Sequence, residues 1–358
     1  MQPNTSHFES VRGPFRKEKE MKTAILEASH QIVVREIEDL KPGPTEILIK
    51  TVVAGVCGSD LHAFKGLHPF RKPPVILGHE VAGTVVKTGP AVKGFQEGDR
   101  VTVMPLLACE QCDACRRGSP QICLNKKVPG PGAWPGFFAE YALSEASIAY
   151  KIGEHTRFSE GVLAEPLAVA IHSVRRAEVK KGANVLVLGA GTIGILTAAA
   201  AANTGAEEIA ITDLFASNLS TVASLCGAIP YDAADKNLTE KIARRHGKFD
   251  IVFLCSGAPT TVQQALHLVR PGGKIVVVGM FLDAVPLDLL SVTLREIEIV
   301  GSVVYTHDDF QNALKWIDSG DTPFGRLITH TFPLEKAQEA MLQLMEHQEN
   351  PLKILLKS

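Results

Sequence analysis

Apolar and polar residues alternate in short runs along the first part of the chain, from residue 22 to about residue 160. The segments 46–53, 80–86 and 99–103 show this alternation or a run of β-branched residues, and Gly, Pro and Asp separate them. Alternation with a period of two between turn-forming residues is typical of half-buried strands. The first part of the chain is therefore predicted to form a β-rich domain.

After residue 165 the pattern changes to strands that alternate with helices, which predicts a parallel sheet with helices on both faces. The predicted strands are 184–188, 208–212, 250–255 and 274–278, and the predicted helices are 193–202, 216–225 and 260–269. A tail from about residue 306 carries two more helical patterns, at 308–319 and 334–346, and a final strand-like segment. The fold class is accordingly α/β.

Length and charge limit the possible partners. The chain has 358 residues, enough for two domains, and a formal charge of −2 without a polybasic block. No apolar run reaches the roughly 18 residues that span a bilayer, so we expect neither a nucleic-acid nor a membrane partner. Residues 1–20 are polar and charged and are predicted to be a flexible extension rather than a signal peptide. A cytoplasmic location is the expectation that follows.

Four of the seven cysteines lie within fifteen residues, at Cys109, Cys112, Cys115 and Cys123. Thiolates at this spacing can surround one Zn²⁺ tetrahedrally, and the lobe predicted over 105–128 would depend on that metal for its stability. Disulfides are disfavoured because no signal peptide precedes the cluster. An iron–sulfur site is compatible with the spacing and stays an alternative. A structural zinc site is the favoured interpretation.

A glycine-rich turn, Gly-Ala-Gly-Thr-Ile-Gly, follows a predicted strand and opens a predicted helix. In this context Gly189 permits the tight turn, Gly191 lets a pyrophosphate approach the backbone, and Gly194 allows the helix to pack closely on the strand. Thr192 and Ile193 lie at the start of the helix, where free N–H groups and the helix dipole favour anions. The turn therefore predicts a dinucleotide-binding site.

Asp213 ends the next strand, 19 residues after Gly194. Its carboxylate can accept hydrogen bonds from the adenosine ribose and would repel a 2′-phosphate. The six residues after it contain no Arg or Lys that could neutralise such a phosphate. The sequence therefore predicts NAD rather than NADP as the cofactor.

The order of the motifs resembles that of zinc-dependent medium-chain dehydrogenases, nearest to the sorbitol and threonine dehydrogenase branch. GVCGSDLH, GHEVAGTV, the four-cysteine lobe, AEPLAVAIH and GAGTIG follow one another in the family's order. The resemblance covers about residue 21 to the C-terminus. It implies a GroES-like catalytic domain over 21–169 and 307–358 and a Rossmann coenzyme domain over 170–306.

The resemblance also implies a second zinc, which is catalytic. Carried over by motif, Cys57 and His79 are zinc ligands, and Glu80 and Glu165 are carboxylates that bind the metal directly or through water. Which of the two carboxylates or water fills the fourth position stays open. Asp60 would orient the imidazole of His79. The residues alone single out only Glu165, which lies in an apolar run where an unpaired carboxylate is costly to bury.

The chemistry that the resemblance implies is the reversible oxidation of a secondary alcohol to a ketone, with hydride transfer to NAD. Ser59 would take the alcohol proton and His62 would release it, since an imidazole titrates near neutral pH. The spacing of Ser59 and His62 from Cys57, +2 and +5, matches the family's proton relay. Two zinc ions per chain are therefore expected, one structural and one catalytic.

The substrate class is wider than one compound. Polyol dehydrogenases of this branch commonly carry an arginine just before a tyrosine, whereas Val304 precedes Tyr305 here. The missing arginine argues against a plain sorbitol enzyme and leaves polyols, cyclitols and amino alcohols. An L-threonine 3-dehydrogenase-type or short-chain secondary alcohol dehydrogenase is the alternative. Phe137 and Phe138 would line the pocket or belong to the core, and so would Tyr305.

Two other classes of protein compete with this interpretation. A non-catalytic protein that binds a partner through its zinc lobe would not need the set of catalytic motifs, and a zinc-free quinone reductase would lack Cys57, His79 and the lobe. The strand-like run 296–304 is expected at the edge of the coenzyme-domain sheet. Since an unpaired apolar edge invites pairing, a homodimer or homotetramer is predicted.

Overall fold

The computed structural model describes residues 20–320, 322–347 and 351–358. The predicted extension falls on residues outside these ranges, except that Glu20 already begins the first strand. The first domain and its tail contribute the strands β1 (Glu20–Ala28), β2 (Gln31–Glu38), β3 (Glu46–Val56), β4 (Val75–Ile76), β5 (Glu80–Thr88), β6 (Arg100–Val103), β7 (Tyr141–Glu145), β8 (Ala149–Lys151), β15 (Ile328–Pro333) and β16 (Lys353–Lys357). Between them in the chain lie β9 (Asn184–Leu188), β10 (Glu208–Asp213), β11 (Ile229–Asp232), β12 (Phe249–Leu254), β13 (Val269–Val277) and β14 (Glu298–Gly301).

The helices of the described residues vary from single turns to fourteen residues. They are α1 (Gly58–Phe64), α2 (Asp113–Arg116), α3 (Phe158–Gly161), α4 (Ala164–Ala177), α5 (Thr192–Asn203), α6 (Ala216–Cys226), α7 (Leu238–His246), α8 (Thr260–Leu268), α9 (Leu289–Leu294), α10 (His307–Asp318) and α11 (Ala337–Glu346). None of them is both long enough and apolar enough to cross a membrane.

Six parallel strands form the sheet of the second region, in the order β11-β10-β9-β12-β13-β14. This is the doubly wound order, in which ligands bind at the carboxyl ends of the strands where the order reverses, here between β9 and β12. The sequence prediction of an α/β domain is confirmed, and so is the edge position of the run that becomes β14. Strand β11, helix α7 and the helical state of α4 were not predicted.

The β-rich region contains a seven-stranded sheet, with β15-β16-β3-β5-β6-β8 in order and β7 beside β3. All its neighbours are antiparallel except β15 and β16. A separate sheet, β2-β1-β4, packs a second apolar cluster against α1 and α11. The tail after α10 thus returns to the first sheet. Residue 169, where the first segment of the catalytic domain is predicted to end, lies inside α4.

Candidate metal centres and coenzyme cleft

The register of β3 and β5 brings Cys57 beside His79 and Glu80. Gly55 pairs with Glu80 across the antiparallel ladder, so the end of β3 and the start of β5 lie side by side. Cys57 follows β3 and caps α1, and His79 is the residue before β5. A separation of 22 residues in sequence therefore becomes a direct contact, in which one atom of each of the three side chains lies within 4.8 Å of the others.

Strand β16 adds a buried lysine to this group. Ile354 pairs with Val56, which places Lys353 at the same end of the sheet. The Lys353 Nζ donates to Glu80 Oε1 at 2.7 Å, to Glu80 Oε2 at 2.9 Å and to Val56 O at 3.2 Å. Gly55 leaves the room for this carboxylate, because a Cβ atom there would lie 1.8 Å from Glu80 Oε2. Lys353 was not predicted as a site residue. In the sequence it is marked only as a charge at the start of an apolar strand.

The electrostatics of this group suit a cation. Burial alone would lower the pKa of His79, but the Asp60 carboxylate and the Cys57 thiol raise it well above its usual value. A divalent cation would meet the same negative surroundings that favour the proton. Asp60 Oδ1 lies 3.5 Å from His79 Nδ1, so Asp60 contacts the imidazole as expected. A thiol, an imidazole and a carboxylate at this distance fit a zinc ion.

Glu165 lies outside the set of three ligand atoms within the described residues. It is the second residue of α4 and is buried, and its Oε1 accepts a hydrogen bond of 2.9 Å from the Tyr305 hydroxyl. Burial raises the pKa of Glu165 to about 7 against the opposing effect of His79, and Glu80 adds to the increase. Tyr305 is therefore a buried partner of Glu165.

Phe137 and Phe138 are core residues. Both side chains are fully buried, and neither lines the cavity beside Cys57. The Phe138 ring packs over Gly78, where a Cβ atom would lie 2.4 Å from it and where φ is +88°. Of the two alternatives left open by the sequence, packing is the correct one, and Phe138 fixes the turn that precedes His79.

The four cysteines of the lobe form a second compact cluster. Cys109 and Cys123 have their Sγ atoms 3.4 Å apart, and Cys112 and Cys115 have theirs 3.5 Å apart. These distances exclude disulfides, which need about 2.05 Å, and approach the roughly 3.8 Å between thiolates around a tetrahedral zinc with bonds of about 2.3 Å. Backbone N–H groups of Gln111 and Cys112 lower the pKa of Cys109 to about 6, which favours the thiolate.

The lobe is closed at its base by a bridge between Leu107 and Lys127, close to the predicted limits of 105–128. Within it the chain forms only α2 and one short 3-10 turn, Pro120–Ile122. Little local structure is available to hold the loop in place, so the cluster fits a structural metal.

The glycine-rich turn has the form that a dinucleotide needs. Gly189 has φ of +107°, and a Cβ atom on Gly194 would lie 1.8 Å from Gly189 O, so the helix packs directly on the turn. A Cβ atom on Gly191 would meet nothing within 4 Å, which leaves the space above the start of α5 open. No side chain caps α5, and its first N–H groups are available to an anion. The hydroxyl of Thr192 instead donates to Leu352 O at 2.6 Å.

The carboxylate of Asp213 binds the protein's own donors. Ala190 N donates to its Oδ2 at 2.7 Å, and Phe215 N and Asn218 Nδ2 donate to its Oδ1 at 2.9 and 3.2 Å. An ionised carboxylate has about four acceptor positions, so it keeps room for a ribose hydroxyl. The contact with Ala190 also ties the end of β10 to the glycine-rich turn.

A cavity of about 550 Å³ joins the three-residue centre to this turn. Cys57, Ser59 and His62 line it from α1, and Ile193 lines it from the start of α5. The remaining wall is largely apolar and comes from α4 and from the loops after β12 and β13, with Val169, Gly257, Val278, Gly279 and Met280 among its residues. His62 Nδ1 is buried without a hydrogen-bond partner among the described residues. The predicted relay residues therefore share one cavity with Cys57, whereas Tyr305 does not reach it.

The sequence matches two known families and named relatives. Residues 43–154 match the family described as "Alcohol dehydrogenase GroES-like domain", and residues 192–319 match "Zinc-binding dehydrogenase". Sorbitol dehydrogenase of Bombyx mori is 33% identical over 328 residues, which cover 89% of this chain and 93% of that protein.

Solved structures agree with the sequence relatives. An Escherichia coli oxidoreductase of unknown specificity superposes with a TM-score of 0.89 at 31% identity, covering 95% of this chain and 99% of the other. A protein from Sinorhizobium meliloti described as a zinc-binding dehydrogenase, solved with NADP, gives a TM-score of 0.87 at 29% identity, with 95% and 100% covered.

Proposed function

The chain belongs to the zinc-dependent alcohol dehydrogenase family, and from that premise we propose which of its residues hold the metals, the coenzyme and the substrate. It is an oxidoreductase that oxidises a secondary alcohol to a ketone with zinc and NAD. The observation that carries the assignment of the site is the shared cavity, which is lined by Cys57 and Ser59 and also by Ile193 at the start of α5.

Cys57, His79 and Glu80 would hold the catalytic zinc, and Cys109, Cys112, Cys115 and Cys123 the structural zinc. Lys353 holds the Glu80 carboxylate in place through its Nζ, and Asp60 contacts the imidazole of His79 and would orient it. Glu165, held by Tyr305, would be the further carboxylate that binds the metal directly or through water. When bound, zinc supplies Lewis acidity towards the alcohol oxygen, and NAD accepts the hydride.

The protein's own part in the reaction is to take up one proton. Ser59 Oγ lines the cavity beside Cys57 and would accept the proton of the alcohol while passing its own hydroxyl proton on towards His62. Burial and the nearby Lys65 lower the pKa of His62, so its imidazole is neutral near pH 7 and able to receive that proton. The largely apolar wall from α4 and the loops after β12 and β13 lines the rest of the cavity.

The coenzyme would lie along the carboxyl ends of β9, β10 and β12. Gly189, Gly191 and Gly194 shape the turn, the N–H groups of Thr192 and Ile193 face the pyrophosphate, and Asp213 accepts from the adenosine ribose. The open space at Gly191 and the uncapped helix support this placement. Asp213, which has no Arg or Lys among the six residues that follow it, supports NAD in preference to NADP.

The relatives support a polyol as the substrate, since the silkworm relative is named for sorbitol. Val304 stands where the branch usually has an arginine, which keeps cyclitols, amino alcohols and short secondary alcohols, with the threonine 3-dehydrogenase type, as alternatives. A non-catalytic role of the zinc lobe has no support from a chain that also carries the cavity and the three-residue centre.

A second copy of the chain is the proposed partner. Strand β14 is one of the two edges of the parallel sheet, opposite β11, and Ile299 on it is 39% exposed. Leu289, Leu290 and Leu294 of the neighbouring α9 are 66%, 67% and 75% exposed. Pairing of two β14 edges would cover this apolar surface in a homodimer, which could double to a homotetramer. Light scattering that finds an active monomer of 38.5 kDa would rule this out. We also propose a cytoplasmic location, since free thiols persist in reducing compartments.

One experiment tests the function and the coenzyme site together. Purified, zinc-loaded protein is mixed with a panel of secondary alcohols and with NAD⁺ or NADP⁺, and NADH or NADPH absorbance is recorded. The variant Asp213→Ser should lower kcat/KM with NAD⁺ by about tenfold or more, because bonds to a charged acceptor contribute about 1.5–3 kcal/mol each. Its kcat/KM with NADP⁺ should rise. An unchanged ratio of the two would show that Asp213 serves only the backbone donors it already binds.

A further inference from the structure

Arg71 is a buried cation without an ion pair to any of the described residues. It lies on the loop between α1 and β4, and 7% of its surface is exposed. Its Nη1 donates to Ser59 Oγ at 3.5 Å and its Nε donates to Pro129 O at 3.4 Å. Both bonds are longer than the usual N–H···O donor–acceptor distance of about 2.9–3.0 Å. Among the described residues, no carboxylate lies within the 4.0 Å of an ion pair with Arg71.

The Asp60 carboxylate, whose pKa Arg71 lowers, already has partners of its own. Asp60 Oδ2 accepts from Cys57 N at 3.1 Å, and its Oδ1 accepts from Gly78 N at 3.2 Å and faces His79. Burial raises the pKa of Asp60, but His79 and then Arg71 lower it to about 2, so Arg71 acts on it only across a gap. A guanidinium has five N–H donors, and burying it without a close anion is costly.

The position of Arg71 relates it to the substrate cavity. Ser59 lines that cavity next to Cys57, and Arg71, which is not itself a lining residue, donates from its Nη1 to the Ser59 hydroxyl. His62, whose Nδ1 has no hydrogen-bond partner in the described part of the chain, lines the same cavity. A positive charge therefore lies one contact away from the cavity, on the side of Ser59.

We propose that Arg71 binds an anionic oxygen of the substrate, a carboxylate or a phosphate carried on the same carbon chain as the reacting secondary alcohol. The inference rests on the proposed function and narrows its substrate class to acidic polyols. A guanidinium binds either group through two parallel N–H···O bonds. The long bonds to Ser59 and Pro129 are weak enough to be exchanged for this contact. The proposal concerns binding, and the oxidation of the alcohol is unchanged by it.

Three compounds with the same six-carbon chain test the proposal: sorbitol is neutral, gluconate carries a carboxylate, and sorbitol 6-phosphate carries a phosphate. KM and kcat with NAD⁺ are measured for the zinc-loaded wild type, Arg71→Met and Arg71→Lys. We expect a KM for one anionic compound at least about tenfold below that for sorbitol, the factor that a charge-assisted hydrogen bond provides. Arg71→Met should remove this preference and leave the KM for sorbitol within about threefold. Whether gluconate or sorbitol 6-phosphate responds identifies the anion.

The matched control is Lys72→Met, which removes a positive charge from the same loop at an exposed side chain whose Nζ donates to Gly66 O and, within the described ranges, to no other group. It should leave all three KM values within about twofold, as surface substitutions do. If Arg71→Met raises the three KM values equally, or if the wild type shows no preference for an anion, the proposal is overturned.

A binding measurement keeps the proposal separate from turnover. The melting temperature of wild type and Arg71→Lys is recorded with NADH and each compound, since a ligand that binds the folded state raises it. We expect an anionic compound to raise the melting temperature of the wild type more than sorbitol does. Arg71→Lys keeps the positive charge but lacks the two parallel N–H donors of the guanidinium, so it should reduce that increase. No gain from either anion overturns the proposal even if alcohols are oxidised. A gain without oxidation of any secondary alcohol supports the anion site and counts against the proposed function.

Discussion

The Cys57, His79 and Glu80 centre is assembled by three paired strands, whereas the four-cysteine centre is assembled by a loop. In the first, β5, β3 and β16 lie side by side, and their register alone places the ligands and Lys353. In the second, the only regular structures are α2 and one 3-10 turn, and the cysteine side chains lie at intermediate exposure apart from the buried Cys123. The paired strands hold the residues of the first centre in place, whereas the second centre has little besides its metal to hold it together.

This difference predicts that the sheet-held centre serves reactivity and that the loop-held centre serves stability. A centre that the sheet already holds can leave a coordination position open to substrate without losing its shape, as catalytic zinc sites do. In a centre made of four thiolates in a loop, all four ligands bind the metal, and the bound metal organises the loop. The two centres should therefore respond in opposite ways to the same kind of substitution.

The largest effect is expected at the sheet-held centre. Cys57→Ser should lower kcat about a thousandfold, because a Lewis acid supplies several kcal/mol of transition-state stabilisation and each 1.36 kcal/mol, roughly, is a factor of ten. The variant should keep about one zinc per chain and nearly the same melting temperature. Metal analysis, steady-state kinetics and thermal unfolding measure these properties. Cys226→Ser, on α6 and outside both centres, is the control and should remain active. A Cys57→Ser protein with normal activity would contradict the assignment.

At the loop-held centre we expect the reverse. Cys112→Ser should lose the structural zinc and lower the melting temperature by roughly 5 °C or more, since each kcal/mol corresponds to about 2–4 °C in domains of this size. Activity per folded, zinc-loaded catalytic site should fall far less than in Cys57→Ser. Calorimetry with metal analysis of the same sample tests this. Two zinc ions per chain and an unchanged transition in Cys112→Ser would show that the lobe does not depend on its metal.

In the zinc-loaded protein, the smallest of these effects is expected at the lysine of the sheet-held centre. Lys353→Met leaves the Glu80 carboxylate buried without its partner, which should cost about 3 kcal/mol of unfolding free energy in zinc-free protein. Bound zinc supplies positive charge in its place, so the loss should be smaller in the loaded form. Urea unfolding of both forms measures the difference.

Lys126→Met is the matched control for that lysine. The Lys126 Nζ donates to Gln121 O in the lobe at 2.7 Å and pairs with no carboxylate among the described residues. This variant should change the free energy of unfolding by less than about 0.5 kcal/mol. Equal losses for Lys353→Met with and without zinc would mean that Lys353 does not act through Glu80.

The coenzyme cleft was predictable from local sequence, because strand, turn and helix follow one another without a break. The glycines of the turn have the backbone and packing that their spacing predicts. The four-cysteine lobe was predictable for the same reason, since its ligands are close in sequence. Strand β11 was missed because it has four residues and contains Pro230, and α4 was missed because its first half is an apolar run in which Glu165 is the single charge.

The sheet-held centre could not be derived from local pattern. Cys57 and His79 meet only through the register of β3 on β5, and a shift of one residue would point them to opposite faces. The resemblance to a known family supplied that grouping. It gave no account of Lys353, whose contact with Glu80 joins residues 273 positions apart, nor of Arg71. Long-range packing likewise decided that Phe137 and Phe138 belong to the core.

The same separation of 273 residues has a consequence during biosynthesis. A ribosome that adds about 5–20 residues per second needs roughly 15 to 55 seconds to proceed from Glu80 to Lys353. Throughout that interval β3 and β5 can pair, but the end of β3 that carries Cys57 has no β16 beside it. The nascent chain thus presents an open strand edge, a free thiol and an uncompensated carboxylate until its final strand emerges. The reactive centre is the last part of the sheet to be completed.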